Sequence, residues 1–112
     1  MALRELEFTF TADKKSEIKP SWSHYGVVGS GDLEILMEKC ELGGATKIKV
    51  VTPVVGFDKV WEKVTERFVH ETGISNVSIE INDNNATPIV VHMRLRQAFA
   101  EANALEEVQR DD

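Results

Sequence analysis

The spacing of apolar side chains changes period partway along this chain, and that change bounds the fold. In "LRELEFTF", residues 3–10, Leu6, Phe8 and Phe10 alternate with Glu5, Glu7 and Thr9. A period of two is the mark of a strand with one face on the core and one in water. The same alternation returns in residues 32–39, where Leu33, Ile35 and Met37 oppose Glu34, Leu36 and Glu38, and in "TKIKVVT", residues 46–52. Residues 23–28 read as a further strand, and Pro53 ends the one before it because proline cannot donate to a sheet ladder. From Phe57 the period lengthens. Val60, Trp61, Val64 and Phe68 fall on one helical face, Lys59, Glu62, Lys63, Glu66 and Arg67 fall outside it, and Gly73 stands where a left-handed C-cap is expected.

Alternation resumes in "NVSIEIN", with Val77, Ile79 and Ile81 inward. Then Thr87 offers an N-cap hydroxyl and Pro88 a first helical residue that needs no N–H. The helix they open, to about Ala104, has Val91, Leu95, Ala98, Phe99 and Ala102 as its buried stripe. The polar stretch 11–21 reads as a mobile loop and the acidic end, 106–112, as a frayed tail. The order β, β-β, β, α, β, α predicts an α+β domain: a two-layer sandwich of a mostly antiparallel or mixed sheet of about five strands, with two amphipathic helices on one face.

With 112 residues the chain is expected to be a single domain, 1–112, large enough for one core but with little left over for a deep pocket. A net charge of −6 argues against nucleic acid and anionic membrane as partners, because both are bound through clustered Lys and Arg. No apolar run approaches the roughly 20 residues that span a bilayer. "MALRELEFTF" has acids where a secretory signal has an apolar centre, and a lone Cys40 suits a reducing compartment, so the expected location is the cytoplasm.

Catalytic chemistry finds little to build on. His24, His70 and His92 are scattered, with no ligand partner at metal-binding spacing. Gly26, Gly29 and Gly31 do not meet the dinucleotide pattern, which needs a helix where this chain has a strand. The glycines beside Ser30 are adjacent to it, whereas a nucleophile elbow has them two residues away. Asp32, Glu34, Glu38 and Glu41 read as a solvated face, and the run from Asn82 to Asn85, lacking the bidentate glutamate of a calcium loop, as a strand-to-helix turn. No catalytic or metal residues are expected, which shifts weight toward a carrier or regulatory subunit.

What remains is "VVGSGDLE", where Ser30 sits between Gly29 and Gly31 at the join of two strands. By spacing alone this is a tight turn, since glycine reaches positive φ at no steric cost. The segment also resembles the prosthetic-group attachment region of the malonate decarboxylase acyl carrier (delta) subunit family. "TPVVGF" before a Trp-bearing helix and "IEINDNNATPIVVHMRLRQAF" resemble it too, so the likeness runs from about Tyr25 to about Ala100. The resemblance implies that Ser30 carries 2′-(5″-phosphoribosyl)-3′-dephospho-coenzyme A through a phosphodiester, its terminal thiol holding acetyl, then malonyl. It implies that Gly29 and Gly31 give the turn its shape and access, and that Asp32 shapes the turn or touches the loading enzyme. It implies partners as well: the transferase and decarboxylase subunits of malonate decarboxylase, and the enzymes that load the prosthetic and malonyl groups. The chain itself would then be non-catalytic.

Two rival readings stand beside this one. The citrate lyase acyl carrier subunit resembles the family in prosthetic group and serine attachment. A small regulatory α+β domain that binds a ligand noncovalently suits the β-α-β-α second half, but has no use for an exposed Gly-Ser-Gly. An independent enzyme is disfavoured by the absences above.

Overall fold

The computed structural model describes residues 3–26 and 29–111, with side chains described as far as 103. Five strands and two helices follow in the expected order: β1 (Arg4–Thr11), β2 (Trp22–Gly26), β3 (Asp32–Lys39), β4 (Ala45–Thr52), α1 (Asp58–Thr72), β5 (Val77–Asn84) and α2 (Pro88–Asp111). The strands form one mixed sheet in the order β1-β4-β5-β3-β2. All neighbours are antiparallel except β4 and β5, which run parallel. A parallel pair needs a crossover rather than a hairpin, and α1 provides it.

Register places the alternating residues in rows. On one face Tyr25, Ile35, Ile81, Val50 and Leu6 lie side by side, and next to them Ser23, Met37, Ile79, Ile48 and Phe8. Both helices pack on this face, α1 over β1 and β4, α2 over β2 and β3. Ile35, Met37, Ile48, Val50, Ile79 and Ile81 are buried there together with Trp61, Phe68 and Leu95. Among the described residues no element covers the opposite face, where Glu7, Lys49, Glu80, Leu36 and His24 form one row. The predicted two-layer α+β arrangement is the one observed.

Local chemistry sets the helix ends. Gly73 closes α1 with φ 75°, its N–H bonded to the Val69 carbonyl. Thr87 caps α2: its hydroxyl accepts from the Val90 N–H at 3.3 Å, and Pro88 is the first helical residue. The helix was expected to end near Ala104 and continues to Asp111, because "EEVQRD" is composed largely of good helix formers. Val60, expected on the buried face of α1, lies on its rim, 36 % exposed, while Thr65 takes the inward place by returning its hydroxyl to the Trp61 carbonyl. Phe99 is half-buried on the edge of its stripe, edge-to-face on Phe68 with centroids 6.3 Å apart.

Residues 11–21, expected as a mobile loop, are anchored. Ala12 and Ile18 join the core, Ser16 pairs with Ile74 in a single parallel bridge, and the Ser21 carbonyl accepts from Lys39. A single buried isoleucine within a polar run carries no periodicity, so spacing could not reveal it. The strand expected over 23–28 ends at Gly26, and Val27 and Val28 lie outside the described residues.

Candidate functional site: an exposed serine on a pinned turn

β2 and β3 form a hairpin whose last paired residues are Gly26 and Glu34. Beyond them, Gly29 to Asp32 make a tight turn in which the Asp32 N–H donates to the Gly29 carbonyl at 3.1 Å. Ser30 lies at its crest and is exposed. Gly31, the third residue, has φ 75°, a left-handed conformation that L side chains adopt with strain. Among the described residues, a Cβ added at Gly29 or Gly31 would meet nothing within 4 Å. Neither glycine position is crowded by a described residue, and Ser30 is exposed between them.

The turn is open but fixed. The Gly31 N–H donates to the Asn84 carbonyl at 2.8 Å, tying it to the end of β5. Asp32 is held from the helical layer by a two-pronged ion pair: Arg94 Nε to Oδ1 and Nη2 to Oδ2, both at 3.0 Å. The paired, planar geometry fixes orientation as well as distance. The Leu33 N–H adds a third bond to Oδ1 at 2.8 Å. Arg94 foremost, then that backbone N–H, hold the Asp32 carboxyl below the usual carboxylate range. Arg94 also donates to Gln97 Oε1 at 2.9 Å, and the same oxygen accepts from the Tyr25 hydroxyl at 3.0 Å. Thus one turn of α2 grips both strands of the hairpin, Tyr25 on one side of the loop and Asp32 on the other.

Of Asp32, Glu34, Glu38 and Glu41, expected as a solvated face, the first departs from that expectation. Asp32 is engaged by Arg94 from the helical layer. Glu34 is tied as well: it accepts from His24 Nε2 at 2.8 Å and Asn82 Nδ2 at 3.0 Å, and these bonds lower its pKa, the His24 bond most. Glu38, Glu41 and Cys40 are exposed. Asp83 is buried at the close of β5, where it accepts from the Thr52 hydroxyl and from the N–H groups of Asn85 and Ala86, so the Asn-rich segment is a strand-to-helix turn as expected.

Arg94, Gln97 and Tyr25 are not singled out by the spacing of apolar residues. A signal was present: Arg94 and Gln97, three apart, border the stripe Val91, Leu95, Ala98, and polar residues there face the sheet's end rather than open water.

Three comparisons with known proteins bear on the family. The family model described as "Malonate decarboxylase delta subunit (MdcD)" matches residues 21–102, a span that includes the serine turn and its α2 clamp. A malonate decarboxylase acyl carrier protein from Malonomonas rubra is 54 % identical over 105 residues, 94 % of each chain. One from Acinetobacter calcoaceticus is 39 % identical over 75 residues, 67 % of this chain and 74 % of its own. Among solved structures, a chain from a Pseudomonas malonate decarboxylase hetero-tetramer in complex with malonate superposes with a TM-score of 0.76 at 36 % identity, covering 88 % of this chain and 98 % of that one. The five-stranded sheet, the pinned Gly-Ser-Gly turn and these likenesses together place the chain in the malonate decarboxylase delta subunit family.

Proposed function

We propose that this chain is the acyl carrier subunit of a malonate decarboxylase, and that Ser30 is where its prosthetic group is attached. The observation that carries the reading is the exposed hydroxyl on a turn whose two glycines leave open space on both sides, in a member of this family. Among the described residues, open space at Gly29 and Gly31 leaves room for a bulky phosphodiester substituent on Ser30. The group is expected to be 2′-(5″-phosphoribosyl)-3′-dephospho-coenzyme A, whose thiol supplies the thioester chemistry when bound. Ser30 Oγ would form the new bond to phosphorus and give up its proton, while an existing P–O bond on the donor breaks and its phosphate-type leaving group departs with the electron pair. Gly29 and Gly31 give the loading enzyme access. Asp32 and Arg94 hold the turn in one shape, so that an enzyme docking on it meets the hydroxyl in a fixed place.

The chain itself then performs no bond-making on the acyl group. It delivers acetyl and malonyl thioesters to transferase and decarboxylase subunits, an arrangement in keeping with the hetero-tetramer that contains its structural relative. A flexible tether raises the local concentration of the thioester at each partner to the millimolar range.

Co-expression with the enzymes that make and attach the prosthetic group should add its mass to the wild-type chain and none to Ser30→Ala. Stability of that variant should change by no more than about 0.5 kcal/mol, because one exposed oxygen is removed. A mass increase that persists in Ser30→Ala would move the site elsewhere. No increase in wild type, with the same enzymes active on another carrier, would overturn the reading.

A further inference from the structure

A cleft opens between the N-terminal halves of the two helices, on the side of the molecule next to the serine turn. Its volume is about 250 Å³, and its walls are Phe57, Val60, Trp61, Ala86, Pro88 and Val91, with Asp83 at its base. Phe57 and Val60 stand at its rim, 52 % and 36 % exposed. Its far wall is the β5–α2 connection, and that connection touches the turn: Asn84, whose carbonyl receives the Gly31 N–H, directly precedes Asn85, a lining residue. Consecutive Cα atoms are about 3.8 Å apart. One wall of the cleft therefore continues directly into the strand end that holds the serine turn.

We infer that this cleft seats the acetyl thioester end of the arm carried by Ser30 and rejects the malonyl end. The inference rests on the carrier reading above. Three features select this occupant. The cleft, about 250 Å³, lies at the small end of the range for bound molecules, and one of its walls runs into the turn from which the arm would extend. Its walls are mostly apolar, which favours a methyl and methylene chain. The one charged group, Asp83, meets donors only: Thr52 Oγ1 at 2.8 Å and Asn85 N at 3.3 Å on Oδ2, Ala86 N at 3.0 Å on Oδ1. Asp83 is the one ionisable residue in the lining, and no lining residue is a cation. A neutral acetyl group can lie beside that carboxylate. A malonyl carboxylate would be repelled by it and desolvated without a counter-charge. The carrier would thus shelter its acetyl form and present its malonyl form, a bias toward the step that consumes malonyl.

The test uses the full chain in four states, unloaded, free thiol, acetyl and malonyl, each verified by intact mass. Methyl resonances of Val60 and Val91 and the indole N–H of Trp61 are followed by NMR, and the acetyl thioester is titrated with hydroxylamine. Acetyl loading should shift the cleft resonances and malonyl loading should leave them near the free-thiol positions. With a tether supplying a millimolar effective concentration, a seat of millimolar affinity is about half occupied, so hydroxylamine should attack about twofold more slowly than in Val60→Glu, which places a charge at the exposed rim. A verified mass gain with no shift in any loaded state overturns the inference and leaves the carrier reading standing. Equal shifts for acetyl and malonyl overturn the selection. Shifts that follow protein concentration rather than loading assign the cleft to a second copy, which also overturns it. An absence of mass gain is the separate failure of the carrier reading.

Discussion

At the scale of single residues, two glycines near Ser30 do different work. Both have positive φ, Gly26 at 84° and Gly31 at 75°. They differ in surroundings: a Cβ at Gly26 would lie 2.5 Å from the Leu33 carbonyl oxygen across the hairpin, while one at Gly31 would meet nothing. Gly31→Ala should therefore cost only the backbone strain of a side chain in the left-handed region, about 1–2 kcal/mol, and should still accept the prosthetic group. Gly26→Ala adds a backbone collision in the β2–β3 ladder to that strain and should lose clearly more stability in urea. Equal losses would mean that the two strands separate at Gly26 without cost. The Gly-Ser-Gly turn was legible in the sequence because glycine is a local signal. The partner of Asp32 was not, because Arg94 stands 62 positions away and only the fold brings it near.

Among the elements, the strands and helices were legible and their neighbours were not. β3 spans residues 32–39 as its alternation predicts, and Gly73 and Thr87 mark helix ends as expected. Periodicity reports which face of an element is buried but not which element lies beside it, so the parallel β4–β5 pair appears only in three dimensions. The same holds for the junction of α1 and α2, where Glu71 accepts from Arg67 at 2.9 Å, His92 at 3.0 Å and Arg96 at 2.8 Å. Arg67 is a helical neighbour, but His92 and Arg96 come from the other helix. These bonds, with that from Arg67 the strongest, bring the Glu71 pKa down from 4.5 to about 2. A carboxyl depressed by folding contributes stability that is fully present above its unfolded pKa and is lost as pH falls toward the folded one. Acid titration should therefore weaken the wild type progressively between about pH 4.5 and pH 2. Glu71→Gln should remove part of that dependence, seen as a shallower fall of urea midpoint with pH over this window. An unchanged slope would show that the cluster is too well solvated to be linked to folding.

For the molecule as a whole, the consequential asymmetry is between the two faces of the sheet. One carries the helices, and the other is open and bears Glu5, Glu7, Glu34, Glu38 and Glu80 among Lys47, Lys49 and His24. Glu34 is bound to His24 and Asn82, Glu80 accepts from Asn82 Nδ2 at 3.3 Å and Glu5 lies 3.5 Å from Lys49, so among the described residues the acids least committed to neighbours are Glu7 and Glu38. Glu38 is the one on the strand that leads out of the serine turn, opposite the exposed Trp22. A net charge of −6 makes long-range attraction to a basic partner surface the natural means of speeding encounter. If the acidic side of the β2–β3 hairpin guides the carrier to its enzymes, Glu38→Lys should slow acyl transfer to the partner subunits chiefly through the association rate. The deficit should be large at low ionic strength. It should shrink as salt approaches 0.1 M and beyond, where charges more than about 10 Å apart are largely screened. Glu7→Lys makes the same change of net charge at the far end of the sheet, so it separates local guidance from overall charge. Transfer in the two variants, measured from one loaded preparation across a salt series, decides between them. A deficit confined to Glu38→Lys places the encounter surface beside the serine hairpin. Equal deficits in both would assign the effect to net charge, and no salt dependence in either would remove electrostatic guidance from the account.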